Sequence, residues 1–164
     1  MTRALRLSLL VALPAALALA ADNKPPAMDE QLAVHVKDAK WAAPKAPEIP
    51  PGVMGSPIAS DPNGPNIGYA KFAPGYTFPM HWHSATEYTV LISGKGQFTV
   101  NGKTYDLEPG SYIVIPAKAH HMAKCAPGAE CILLTRRAGP RPGARAGLFA
   151  IDVAQNPRGP RHRP

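Results

Sequence analysis

The stretch Gly75-Tyr76-Thr77-Phe78-Pro79-Met80-His81-Trp82-His83-Ser84-Ala85-Thr86-Glu87-Tyr88-Thr89-Val90-Leu91-Ile92-Ser93-Gly94 decides how this chain is read. Successive side chains of a β-strand point to opposite faces, so His81 and His83 share one face, about 6.6 Å apart along the strand. Met80 and Trp82 take the other face. Glu87 follows past a short polar break, Ser84 to Thr86, and His120-His121 comes two hairpin signals later. Three imidazoles and one carboxylate can thus converge from two adjacent strands. Neutral imidazole with carboxylate suits Fe, Mn, Co, Ni, Cu or Zn. Three or four protein ligands leave positions open for water, dioxygen or a chelating substrate. His120 competes with His121 for the third imidazole position, and the spacing favours His121. The competing reading of His81 and His83 is a surface pair.

Outward from this stretch, short apolar runs alternate with turn signals. The runs are Ile67–Phe72, Tyr76–His81, Tyr88–Ile92, Gln97–Val100, Lys103–Leu107, Tyr112–Ile115, His121–Cys125, Cys131–Thr135 and Leu148–Val153. The breaks are Pro74-Gly75, Gly94-Lys95-Gly96, Asn101-Gly102, Pro109-Gly110 and Pro127-Gly128. Asn-Gly between two apolar runs is the strongest short hairpin signal. Strands this short at this spacing predict an all-β sandwich or barrel. The 164 residues, 45% hydrophobic, suffice for one domain with a core. Pro 20 and Gly 14 are too many for a helical bundle.

The flanks read differently. Arg3 and Arg6 precede an apolar run, Leu7 to Leu19, and Ala18-Leu19-Ala20 has the small-x-small form of a signal-peptidase site. Residues 1–20 are therefore read as a cleaved signal peptide, with the mature chain starting at Ala21 in a secreted or periplasmic setting. The run is shorter than the roughly 20 apolar residues a membrane span needs, so no stable membrane insertion is expected. Residues 21–65 read as a Pro-rich N-terminal arm, with one candidate strand where Leu32, Val34 and Val36 alternate with Ala33, His35 and Lys37. Pro44 to Pro65 is expected to wander over a surface. Residues 66–153 read as the β domain, and 154–164 as a disordered basic tail. Seven arginines fall after residue 135, whereas residues 21–135 hold lysines and acids in near balance. The tail lacks the aromatic interleaving of a nucleic-acid binder, so no nucleic-acid partner is expected.

The spacing of Gly75, His81, His83, Glu87 and Gly94, followed by Gly110, Pro116 and His121, resembles the two motifs of the cupin family. The resemblance covers Ile67 to Thr135. It is closest to small exported single-domain cupins and more distant to the cupin lobe of zinc-binding anti-sigma factors. It implies a jelly-roll β-barrel with a metal inside, held by His81, His83, Glu87 and His121. It implies one divalent transition metal (Fe, Mn, Ni, Cu or Zn), a small-molecule ligand or substrate, and a homodimer by default. Two positions depart from the pattern. Lys118 stands where Gly is usual and Cys125 where Asn is usual. A Lys in a left-handed turn would cost about a kcal/mol unless the turn differs.

Cys125 and Cys131 bracket a tight turn, and three readings stay open. They form a disulfide, which would persist outside the cytoplasm. Alternatively Cys125 is a thiol near the metal, or simply a small buried side chain. No nucleophile elbow, phosphate loop or dinucleotide fingerprint is present. Three functions remain. The resemblance implies a metal-dependent, dioxygenase-like oxidoreductase acting on a small oxygen-bearing organic molecule, with Glu87 as ligand or general base. The second is a non-catalytic binder of metal or small ligand. The third is a structural zinc site.

Overall fold

The computed structural model describes residues 25–45, 49–61 and 64–139. Its strands are β1 (Val53–Ser60), β2 (Asn66–Phe72), β3 (Thr77–His81), β4 (Glu87–Ser93), β5 (Gly96–Val100), β6 (Lys103–Leu107), β7 (Tyr112–Ile115), β8 (His121–Cys125) and β9 (Cys131–Arg137). A single 3-10 turn, Val36–Asp38, precedes them. Two antiparallel sheets result, one ordered β1-β2-β9-β4-β7 and the other β3-β8-β5-β6. They close face to face as the all-β jelly roll that the alternation of short runs and turns predicts.

Turn chemistry sets the register. Asn101 and Gly102 have φ of 48° and 82°, the left-handed pair that a tight hairpin requires, and Val100 pairs with Lys103 across it. Gly94 has φ of 85°, and a Cβ there would lie 2.5 Å from the Glu130 carbonyl oxygen. Only glycine fits at that close approach. Between the sheets Leu91, Ile115 and Leu133 are fully buried, with Phe72, Phe78 and Phe98 completing the core. Cys125 and Cys131 are joined in a disulfide with Cα atoms 5.7 Å apart. That bond links β8 of one sheet to β9 of the other. Cys125 is therefore no free thiol beside the metal centre.

Two expectations for the N-terminal stretch are corrected. The sheet begins at Val53, well inside the segment read as a wandering arm. β1 is an edge strand with one neighbour, where a proline is tolerated because half of the backbone donors need no ladder partner. Its register shifts between Pro57 and Ala59, and this bulge lets both Ile58 and Ala59 be buried. The candidate strand through Leu32, Val34 and Val36 is not a strand. The stretch lies at the surface without regular structure, with Leu32 and Val34 exposed, and turns into the 3-10 segment at Val36. Val34 offers its carbonyl to the Tyr69 hydroxyl at 3.1 Å, Trp41 packs against Tyr69, and Ala42 makes a lone bridge to Gly55. Residues 1–20, the run Leu148–Val153 and residues 154–164 lie outside the described residues. Among the described residues no helix is long and apolar enough to cross a membrane.

Candidate metal centre

His81 closes β3 and His121 opens β8, and the two are register partners across that pair. His83 lies just beyond β3. Their ring centroids are 4.0 Å (His81–His121), 4.8 Å (His81–His83) and 5.1 Å (His83–His121) apart. One ligand atom from each lies within 4.8 Å of the other two, and all three residues are buried. His81 Nδ1 donates to the Pro79 carbonyl at 2.7 Å, and His121 Nδ1 donates to the Ala119 carbonyl at 2.9 Å. These bonds fix the tautomer and leave Nε2 of each ring as the free lone pair.

The loop before β8 explains how His83 and His121 meet. Lys118 adopts φ of 63°, so it takes the left-handed position that glycine usually fills. Its amide donates to the His83 carbonyl at 2.7 Å, tying the two histidine-bearing loops together. His120 faces solvent, and its backbone is clipped to Asn101 at the β5–β6 turn.

Glu87 opens β4 on the opposite sheet and borders the histidines. Its Oε2 accepts from Arg137 Nε at 3.0 Å and lies 3.1 Å from His83 Nε2, a contact without hydrogen-bonding alignment. Its Oε1 accepts from the Thr89 hydroxyl at 3.1 Å. Thr89 has spent its proton there, so at the 3.1 Å contact with Thr135 it is Thr135 that donates. Arg137 is the residue that sequence reasoning missed. It was grouped with the basic tail, yet it sits opposite Glu87 in the β4–β9 ladder and is only 8% exposed. The signal was present in the alternation of Cys131, Leu133 and Thr135, all inward, which places Arg137 on the same face. Asn66, its partner on β2, is also buried, and its side-chain amide has no hydrogen-bond partner among the described residues.

Electrostatics favour the ligand form of the site. Burial, then the neighbouring charges of His121 and His83, lowers the pKa of His81 from 6.5 to about 3. Burial also lowers that of His121, outweighing the opposing pull of Glu87. Burial alone would raise the Glu87 carboxyl, but the Arg137 guanidinium and then His83 hold it well below the usual carboxylate range. The result is neutral imidazoles at His81 and His121 beside an ionised carboxylate. Both ring nitrogens of His83 and Nε2 of His121 are buried with no hydrogen-bond partner among the described residues. Orphaned buried polar atoms are costly, and a divalent cation between them would supply the missing partner. The donor set therefore fits a transition metal held by imidazole. The adjoining cavity is small, about 40 Å³, lined by His81, His121, Glu87 and Arg137 on its polar side and by Phe72, Phe78, Phe98 and Leu133 on its apolar side.

The family comparison falls on this region. Residues 68–135 match the Cupin_2 family, a cupin domain. The dimethylsulfoniopropionate lyase DddW of Ruegeria pomeroyi is 31% identical over 55 residues, which cover 34% of this chain and 36% of the lyase. A second curated relative, the HTH-type transcriptional activator RhaS of Mannheimia succiniciproducens, is 39% identical over 49 residues, 30% of this chain. The chain thus spans about a third of the lyase and 18% of the activator. The cupin-2 domain protein Rru_A2000 of Rhodospirillum rubrum superposes with a TM-score of 0.61 at 14% identity, over 77% of this chain and 82% of that one. The polyketide cyclase RemF of Streptomyces resistomycificus gives 0.60 at 21% identity, over 70% and 83%. Motif spacing, family match and sheet architecture agree on the same stretch of chain, and residues 68–135 form a cupin domain.

Proposed function

We propose that this cupin binds one divalent transition metal through His81, His83 and His121 and acts on a small oxygen-bearing organic molecule as a dioxygenase-like oxidoreductase. The observation that carries the metal assignment is the set of three buried imidazoles whose ligand atoms lie within 4.8 Å of one another. A bound ion of Fe, Mn, Ni or Cu would supply Lewis acidity and a second oxidation state. The chain's own residues do the rest. Pro79 and Ala119 carbonyls hold two rings in the ligating tautomer. Phe72, Phe78 and Phe98 line the apolar side of the cavity and give a small ligand a nonpolar wall to lie against. Glu87 offers a carboxylate oxygen 3.1 Å from His83 Nε2, where it serves as a fourth ligand or, off the ion, as general base.

The cavity volume favours a second reading. At about 40 Å³ it has room for a few water-sized groups, well below the several hundred that a drug-sized ligand fills. A non-catalytic binder of metal or a very small ligand fits that volume. Export past the inner membrane belongs to the same proposal, supported by the Arg3 to Ala20 leader pattern and by the Cys125–Cys131 disulfide, a bond that persists in oxidising compartments. So does a homodimer, for which exposed Tyr112 and Val114 on the edge strand β7 offer apolar contact area. Metal analysis of protein purified from the exported compartment, combined with dioxygen uptake on small phenols and organic acids, tests the proposal. One redox-active ion per chain with substrate-dependent uptake supports the oxidoreductase. Zinc without turnover supports the binder.

A further inference from the structure

We infer that the Asn66 side-chain amide is a ligand-binding group beside the cavity, and that the molecule it receives is a small hydroxycarboxylate. The inference rests on the metal-binding reading above and deepens it by naming the substrate class. Asn66 opens β2 and is only 1% exposed. Both polar atoms of its amide, Oδ1 and Nδ2, are buried with no hydrogen-bond partner among the described residues. Burying an amide with neither atom bonded is costly, and such groups are rare in folded proteins. The strand itself asks for no amide at this position. Its backbone is held by pairing to Ser60 on β1 and to Arg137 on β9, whatever the side chain.

Register places the amide next to the site. Glu87, Arg137 and Asn66 form one row across β4, β9 and β2. Residues opposite one another in a ladder share a side of the sheet, so Asn66 shares the barrel side with Arg137. Arg137 and Thr135 on β9 and Ala70 on β2 all line the cavity. Gly68, opposite Thr135, puts no side chain between Asn66 and Ala70 on that side of β2. The amide thus lies one strand, about 4.8 Å, beyond Arg137. Charge then selects the ligand. Glu87 and Arg137 are the only charged side chains lining the cavity, and they cancel. A divalent ion would bring two positive charges that no lining side chain offsets, so an anion is the occupant that restores balance. The amide offers a donor in Nδ2 and an acceptor in Oδ1. A carboxylate oxygen accepts from the first, and an adjacent hydroxyl donates to the second. A cavity of about 40 Å³ limits such a molecule to a few heavy atoms.

Glycolate is the probe and neutral ethylene glycol its control, each titrated into the full-length Co²⁺-loaded protein while visible absorption is followed. Glycolate is expected to shift the spectrum, and ethylene glycol to bind about tenfold more weakly or worse. Asn66→Leu, close to asparagine in shape, should weaken glycolate binding about tenfold or more while Co²⁺ affinity stays within about twofold. Without metal, that variant should melt a few degrees above wild type, because hydrocarbon replaces an unbonded amide. Asn66→Ala removes the amide without filling its place and should lose glycolate binding to the same extent. Wild-type glycolate binding by either folded variant, no glycolate binding by the wild type, or equal binding of the two probes overturns the inference. So does a folded Asn66→Leu that melts below wild type, since the amide would then have a structural partner. Should Asn66→Leu fail to fold, glycolate binding by Asn66→Ala decides it. Failure of the wild-type protein to bind Co²⁺, or undiminished Co²⁺ binding by His83→Ala, instead overturns the metal-binding reading. No Asn66 variant is needed to see that, so the two failures are distinguishable.

Discussion

His83 has the lightest structural duty of the three histidines. Neither ring nitrogen makes a hydrogen bond to the chain, whereas His81 and His121 each brace a backbone carbonyl. His83→Ala should therefore abolish metal binding while the metal-free protein keeps its melting temperature to within a few degrees, about 1 kcal/mol. Equilibrium dialysis and a thermal melt check both halves. The acid response follows from His81. In the unfolded chain its imidazole takes a proton near 6.5, and in the folded protein only near 3. Between those values the unfolded state holds more protons, so acidification costs the folded state up to about 1.4 kcal/mol per pH unit for this group. His121 shifts in the same direction, and the Glu87 carboxyl is held well below its usual range. The metal-free protein should hold constant stability above pH 7 and lose it steadily from pH 6.5 downward, a slope that His81→Ala flattens. A flat profile from pH 7 to 4 would contradict the burial of neutral imidazole. At this scale the histidines were legible because two-residue alternation and motif spacing are local. Arg137 was not, because an arginine near a run of arginines reads as solvated unless the strand is known to continue through it.

Among the elements, the β8–β9 connection carries a covalent link between the two sheets. Its disulfide spans a separation of only 6 residues, between two cysteines with no exposed surface. Closing so short a loop restricts the unfolded chain modestly, so replacing both cysteines with alanine should cost about 2 kcal/mol in a urea melt. Metal affinity should be retained, because His121 sits at the other end of β8. Loss of metal binding in that variant would mean that the β8–β9 connection governs the site more tightly than its position implies. The strand runs from Ile67 onward were readable because each is bounded by its own turn residues. The edge strand β1 was hidden by its proline content. Proline weakens a strand's signal without forbidding a position that has a neighbour on one side only. Lys118 shows the converse. The sequence departs from the usual glycine, yet the left-handed turn is kept, because its amide bond to His83 and the approach to His121 demand that geometry.

Seen whole, the molecule sets a histidine-bearing sheet against a carboxylate-bearing one and encloses a small cavity between them. The fold was legible in the sequence because alternation, turn chemistry and family resemblance agreed. Reaction type was not, because sheet architecture is shared by proteins of many activities. Even so, the oxidoreductase, metal-binder and structural-zinc readings all need an ion among the three imidazoles. The metal content of the purified protein, measured beside that of the His81→Ala, His83→Ala and His121→Ala variants, tests this most directly. The account predicts one transition-metal equivalent per chain in the wild type and none in any variant. A metal-free wild type that takes up no added ion, or variants that keep a full equivalent, would contradict it.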